Sequence, residues 1–362
     1  MQTIKKLKEL FNIAVKDGAF PGATYGIAFP DKTYVDVVGN KALYPNIENN
    51  DVDTLYDMAS LTKVICTTTC ALKLIEEGKL RLYAPVTKYI PEFQHPDITV
   101  WNLMTHTSGL PEGLSKTYEL KEPSEVWERI FKLELKYETG TKIHYSDVGY
   151  ILMGKIIENI SGLRLNEFAK KYVFDPLEMN DTGYLPTDIK RCAPTEKRDD
   201  LVYRGIVRGS VHDETAYALG GVAGHAGLFS TAKDMTHFIQ MILNNGVYKG
   251  QRFLAKATID VLYTPQVKET TGVMINKDNR SLGWINRGSA SSAGEITSLN
   301  TILHTGFTGT NVWIDRDNQV GMVILSNRVH PTRNNGLHMD FRPRAANFLI
   351  AHIHEIKEEI ND

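Results

Sequence analysis

Cysteine is scarce: Cys66, Cys70 and Cys192 are the only three in 362 residues. An odd, sparse set argues against a disulfide framework and against a cysteine-based metal site. An excess of one charge is missing too. Lys and Arg number 41 against 43 Asp and Glu, a formal net charge of −2, which leaves no electrostatic footprint for nucleic acid or an anionic membrane. No apolar run approaches the roughly 18 residues that suggest a membrane span. The stretch from Met1 to Phe11 is charged throughout and lacks the apolar core of a secretory signal. These absences lead us to expect a cytoplasmic protein with neither nucleic-acid nor membrane partners.

What is present is an ordinary globular composition, 42% hydrophobic and 23% charged, long enough for one large domain or two lobes. The opening segment reads as an amphipathic helix with Ile4, Leu7, Leu10 and Phe11 on one side. Alternation then predicts a hairpin of strands over 23–29 and 33–38. The middle of the chain is mostly helical. Apolar residues at helical spacing mark 124–133, 145–161, 166–173 and 231–243, and Cys66 and Cys70 fall on the apolar side of the helix after Ser60. The polar, Arg-rich stretch 186–218 reads as a surface excursion, and 219–229 is too glycine-rich for a regular element. Extended segments at 281–286 and 302–305, a second hairpin over 311–314 and 320–325, and a helix over 342–356 close the chain. Strands at both ends with helices between them predict an α+β fold. An antiparallel sheet region (1–58 and 228–362), flanked by the first and last helices, would carry an inserted helical region (59–227).

The chemistry centres on Ser60-Leu61-Thr62-Lys63 at the start of a predicted helix. Residues three apart share a helix face, so Ser60 and Lys63 can touch. A serine hydroxyl needs an adjacent base to become a nucleophile, and lysine can be one when burial or neighbouring cations lower its pKa. Free N–H groups in the first turn suit a developing oxyanion. Taken alone the tetrapeptide is common and reads as a helix cap beside a solvated lysine. Two later motifs change that reading: Tyr145-Ser146-Asp147 at a helix start, and His304-Thr305-Gly306 at the end of a predicted strand.

Serine, lysine and tyrosine in this order, followed by a basic-Thr-Gly strand, resemble the serine β-lactamase and penicillin-binding-protein superfamily. Leu103–Pro111 and the glycine-rich Gly220–Phe229 support the resemblance, which covers nearly the whole chain. Within it the chain is similar to the class C β-lactamase-related branch, with its carboxylesterases and D-amino-acid peptidases. The resemblance implies a β-lactamase/transpeptidase-like fold with the site in the groove between its two regions. It makes Ser60 the acylated nucleophile, Lys63 its proton partner and Tyr145 the tyrosine exchanging protons with Ser60 and the leaving group. Asp147, His304, Thr305, Gly306 and His225 would contact substrate, and the Ser60 and Phe307 N–H groups would form the oxyanion hole. No metal or organic cofactor is implied.

Two departures bear on specificity. Asp147 stands where many relatives have Asn, and His304 where β-lactamases of this class have Lys. Histidine holds a substrate carboxylate only when protonated, and a carboxylate at 147 repels one. The implied activity is therefore hydrolysis of small esters, amides or D-amino-acid peptides with little β-lactamase activity. A penicillin-binding protein or β-lactamase proper, acylated by β-lactams, and an acylated sensor without turnover are the alternatives. His212-Asp213 has the look of a site-lining pair. His106 reads as a loop stabiliser and Arg328 as a neighbour of the site.

Overall fold

Strand β1 (Gly22–Ala28) is buried at every position, as expected of a strand covered on both faces. In the computed structural model, which describes residues 2–120, 122–200, 202, 204–268, 279–288 and 291–360, it lies inside a nine-stranded antiparallel sheet. Its neighbours are β2 (Thr33–Ala42), β3 (Thr301–Thr305), β4 (Asn311–Asp315) and β5 (Val320–Ser326), in the order β3-β4-β5-β1-β2. Short strands Ile285–Asn286, Asn279–Arg280 and Val267–Lys268 extend the β3 edge, and Glu48–Asn49 the other. Register pairs Ala23 with Ser326 and Ala28 with Gly321, so the two predicted hairpins meet in one sheet.

Five helices frame it: α1 (Gln2–Lys16), α2 (Thr69–Glu76), α3 (Asp147–Ser161), α4 (Ala232–Leu243) and α5 (His338–Ala351). Helices α1 and α5 cover one face, where Leu7, Phe11 and Phe341 pack on Tyr25, Ile27 and Trp313. Phe11 stacks on Tyr25 with centroids 4.0 Å apart, a geometry worth about 1 kcal/mol beyond its area burial. Helix α4 crosses the other face at backbone distance. A Cβ on Gly26 would stand 2.7 Å from Thr236 Cγ2, and one on Gly321 2.5 Å from Ile239 Cγ2. Residues of α2 and α3 extend that second core. The closing helix is two helices rather than one, breaking at His352 before Ile353–Glu359.

The stretch 186–218 departs most from expectation. It folds inward, burying Cys192, Pro194, Glu196, Arg198 and His212 and carrying the strands Lys197–Asp199 and Arg204–Ile206. Its polar groups find partners: Asn327 Nδ2 donates to Pro194 O at 2.7 Å, and the His212 N–H donates to Asp57 Oδ2 at 2.7 Å. Polarity marks a buried segment when every group is paired. Among the described residues no helix is long and apolar enough to cross a membrane.

Candidate active site

Asp57, buried at the end of a short strand, organises the approach to Ser60. Its Oδ1 accepts from the Ala59 N–H at 2.8 Å and its Oδ2 from the His212 N–H. Ala59 is thereby held at φ +46°, a left-handed conformation costly for alanine, and the chain turns sharply to present Ser60. Burial pushes the Asp57 carboxyl up, against the two N–H groups that hold it down. Lys63 follows in a π-helical stretch, Lys63–Thr68, a departure from α-geometry that is frequent at functional sites.

Lys63 is fully buried. Its Nζ donates to Ser60 Oγ at 2.9 Å and to His225 O at 3.0 Å, and lies 2.7 Å from Asp147 Oδ1. Burial works to strip its charge, but the Asp147 carboxylate and the Tyr145 oxygen overcome that and hold the ammonium above its usual range. Lys63 is therefore a fixed cation beside Ser60.

Tyr145 and Asp147 are placed by the cap between them. Ser146 is the N-cap of α3, its Oγ accepting from the Gly149 N–H at 3.3 Å and donating to Pro111 O at 2.6 Å. Asp147 is thus the first residue of the helix, where the dipole favours a carboxylate. Tyr145 precedes the cap in an extended segment, and its hydroxyl donates to Ser60 Oγ at 2.8 Å. His106 stacks on the Tyr145 ring with centroids 4.5 Å apart, and its Nδ1 accepts from the Ser146 N–H at 3.1 Å.

The strand β3 end is stitched to the Ser60 turn. Thr308 Oγ1 donates to Asp57 O at 2.7 Å and Thr310 Oγ1 to Met58 O at 3.0 Å. Phe307 follows Gly306 into the cleft, stacked on His212. Arg328 lies over its ring at 4.6 Å, its Nε donating to Phe307 O at 2.9 Å.

The resulting cleft, about 300 Å³, is lined by Ser60, Tyr145, Asp147, His225 and Phe307 together with Asp57, His212, Asp213, Glu214 and Arg333. Lys63 sits behind Ser60, outside the lining. His304, Thr305 and Gly306 also lie outside it. His304 is buried, its Nδ1–H donating to Thr305 O at 3.0 Å. Burial first, then the charges of Arg280 and Lys63, hold its pKa well below the usual range, so it is a neutral imidazole. Asp213 accepts from the Ala216 N–H at 2.8 Å and from His225 Nε2 at 2.8 Å. Those contacts hold its carboxylate below the usual range against burial. Asp147, Asp213 and His225 bring one ligand atom each within 4.8 Å of one another; Lys63 already fills the place of a cation at Asp147. Sequence reasoning did not single out Asp57, Glu214, Arg333 or Arg280, which carry no local motif.

Comparison with known proteins fits this geometry. The family described as Beta-lactamase matches residues 4–343. The chain belongs to the Beta-lactamase family. An N-acetylmuramyl-L-alanine amidase of Bacillus subtilis is 34% identical over 310 residues, 76% of this chain and 68% of the amidase. A Salmonella typhi protein named after D-alanyl-D-alanine carboxypeptidase is 33% identical over 314 residues, 77% of this chain and 70% of that protein. Among solved structures, a penicillin-binding-protein homologue from Caulobacter crescentus superimposes with a TM-score of 0.79 at 17% identity, covering 97% of this chain and 98% of the other. The Beta-lactamase-family chain described here is a serine hydrolase.

Proposed function

We propose that the protein hydrolyses an amide bond in peptides of the cell-wall type through a covalent ester on Ser60. The observation that carries this reading is the pair of contacts on one oxygen: Lys63 Nζ at 2.9 Å and Tyr145 Oη at 2.8 Å from Ser60 Oγ. Lys63, held as an ammonium by Asp147, is not the base. Tyr145 takes the Ser60 proton as Oγ attacks the substrate carbonyl, and its own hydroxyl proton becomes the one in transit. The Ser60 and Phe307 N–H groups receive the oxyanion. Tyr145 then passes the proton to the leaving nitrogen, the C–N bond breaks, and water repeats the sequence on the Ser60 ester.

Between the two activities named for the relatives, the electrostatics favour the amidase. A carboxypeptidase must hold a substrate carboxylate beside the scissile bond. Here residue 304 is a neutral imidazole, and among the described residues the cleft wall carries Asp57, Asp147, Asp213 and Glu214 against one lining Lys or Arg, Arg333. Arg333 is itself paired with Glu196 at 2.7 Å. The test is turnover of a muramyl-peptide and of a D-Ala-D-Ala-terminated peptide, alongside p-nitrophenyl butyrate. Release of the muramyl-linked peptide, lost in Ser60→Ala, supports the reading. Turnover confined to the D-Ala-D-Ala peptide refutes the substrate class, and ester turnover that survives in Ser60→Ala refutes the nucleophile.

A further inference from the structure

We infer that the Phe307 side chain, with Arg333 beside it, is a specificity-determining wall that takes the sugar ring of a muramyl-type substrate on the acyl side of the scissile bond. The inference rests on the reading that the substrate is a cell-wall amide attacked by Ser60. In that reading the Phe307 N–H receives the oxyanion. The carbonyl being attacked then lies beside the backbone of Phe307, and the group attached to that carbonyl lies beside its ring. In a muramyl amide this group is short, because one carbon and one ether oxygen join the carbonyl to the pyranose. The sugar is therefore held close to Phe307.

Phe307 lines the cleft and is 48% exposed, yet its surroundings are planar and fixed. The His212 ring stacks on it with centroids 5.6 Å apart and planes 28° from parallel. The Cζ atoms of Arg328 and Arg333 lie 4.6 Å and 5.6 Å from its ring centroid. Arg328 is the brace. It is buried, and its Nε donates to Phe307 O while its Nη1 donates to Arg333 O at 2.8 Å and Asn335 O at 2.9 Å. One guanidinium thus holds the aromatic and the cation of the wall in register. His212 is held in turn by Glu196, Nε2 to Oε2 at 3.0 Å. An open aromatic that is ordered before the ligand arrives lowers the entropy cost of binding.

The rest of the wall selects among ligands with apolar surface. An alkyl chain would meet Asp57, Asp213, Glu214 and Arg333 on the other sides of the cleft and would desolvate charges without pairing them. A pyranose carries both kinds of surface: C–H groups that lie against an aromatic ring, and a rim of hydroxyl and acetamido groups for polar side chains. Arg333 fits the rim. Its Nε and Nη2 are committed to Glu196. Its Nη1 makes no hydrogen bond among the described residues, on a side chain 41% exposed. Glu214 lines the same wall, its Oε1 3.9 Å from Arg333 Nη2, and offers an acceptor where the guanidinium offers donors. The sugar of a muramyl amide also brings no carboxylate into this acidic cleft, since that carboxyl is the one in the scissile bond.

The experiment compares three methyl esters that share the reacting group. N-acetylmuramic acid methyl ester carries the sugar, methyl 2-methoxypropanoate keeps the ether oxygen without a ring, and methyl octanoate offers an alkyl chain. The value of kcat/KM is measured for each with wild type, Phe307→Leu, Phe307→Trp and Arg333→Gln. We expect wild type to prefer the sugar ester over the ring-free ether about a hundredfold, and Phe307→Leu to cut that preference about tenfold, the size of a well-placed aromatic contact. Taking the ratio cancels any effect of the substitution on the chemistry common to the esters. Phe307→Trp should keep the preference within about threefold, and Arg333→Gln should lower it about fivefold, the loss of one charged hydrogen bond. No preference for the sugar ester in wild type, a preference unchanged in Phe307→Leu, or an equal loss on methyl octanoate overturns the assignment. Should Phe307→Leu fail to fold, Arg333→Gln decides on the same ratio, and an unchanged preference refutes the wall. Failure of the amide reading looks different: a wild type that prefers the sugar ester but leaves a muramyl-peptide uncleaved refutes amide hydrolysis and supports the sugar wall.

Discussion

Replacing Asp147 by Asn removes the charge that keeps Lys63 an ammonium and leaves the shape almost unchanged. In the native protein Asp147 Oδ1 stands 2.7 Å from a lysine with no exposed side-chain surface. Removing one partner of a fully buried pair costs about 3–5 kcal/mol. Asp147 is one-third exposed and its amide replacement still accepts a hydrogen bond from Lys63, so we expect a loss of about 2 kcal/mol at pH 7. The loss should also depend on pH. With Asp147 present, the Lys63 pKa is raised above its unfolded value. Its stabilisation is then complete below about pH 10.4 and disappears only as pH climbs through the native value. Without Asp147, burial dominates and the native pKa falls below the unfolded one. Between those two values the unfolded chain binds more protons than the folded one, so unfolding free energy rises with pH. Urea denaturation of both proteins at half-unit steps from pH 6 to 10 reads this directly. The gap between wild type and Asp147→Asn should shrink toward pH 10, provided the m-value is unchanged. A gap that is absent, or constant across the series, would refute the assignment of Lys63 as a cation sustained by Asp147.

The same variant takes one negative charge from the cleft, so acylation by benzylpenicillin, a carboxylate, should speed up about tenfold at low salt and by less at 0.5 M; intact-protein mass spectrometry follows it, and an equal rate in both proteins counts against electrostatic exclusion. Gly306→Ala would set a Cβ 2.1 Å from Thr310 Oγ1 and 2.7 Å from Met58 O. Because Met58 is backbone two residues before Ser60, kcat should drop at least tenfold and stability by about 1–3 kcal/mol; a variant with native turnover would show that the turn yields freely. Glu196 is held down to about 2, against burial, by His212 and Arg333. A depressed carboxyl stabilises above its unfolded pKa and stops doing so as pH falls through its native one. Calorimetric Tm should therefore decline between about pH 4.5 and 2 more steeply in wild type than in Glu196→Gln, and parallel profiles would exclude Glu196 as the source.

Much of the site was legible because its spacing is local. Ser60 and Lys63 meet through one helical turn, and Tyr145 and Asp147 flank a capping serine whose preference for a helix start is intrinsic. The hairpins were legible through alternation, and β1 with β2 closely follow the expected strands. What was not legible depends on pairings far apart in sequence. Arg280 reaches Tyr145 only because the strand at 279–280 joins the β3 side of the sheet, and Arg333 reaches the cleft through Glu196. The stretch 186–218 looked solvent-facing because polarity was read as exposure. Its arginines and glutamates are instead the partners that let it be buried, as with Arg198 Nη2 2.5 Å from Glu214 Oε1. His304 is similar. Its place in the motif suggested a hand on the substrate, whereas burial and two nearby cations make it uncharged.

The pairing of β1 with β5 has a consequence for biosynthesis. Strand β1 leaves the ribosome early and finds β2 at once, but its other edge is completed only by β5, roughly 300 residues later, which at 5–20 residues per second is a wait of about 15–60 s. Throughout that interval a strand destined for burial at every position, with an open edge, is the kind of surface on which nascent chains aggregate. The Ser60 turn waits as well, because Thr308 and Thr310, which pin the backbone just before Ser60, emerge just ahead of β5. Acyl-transfer activity thus appears only in chains whose two ends have met, and a serine-directed probe added during translation would label finished molecules and pass over the partly made ones.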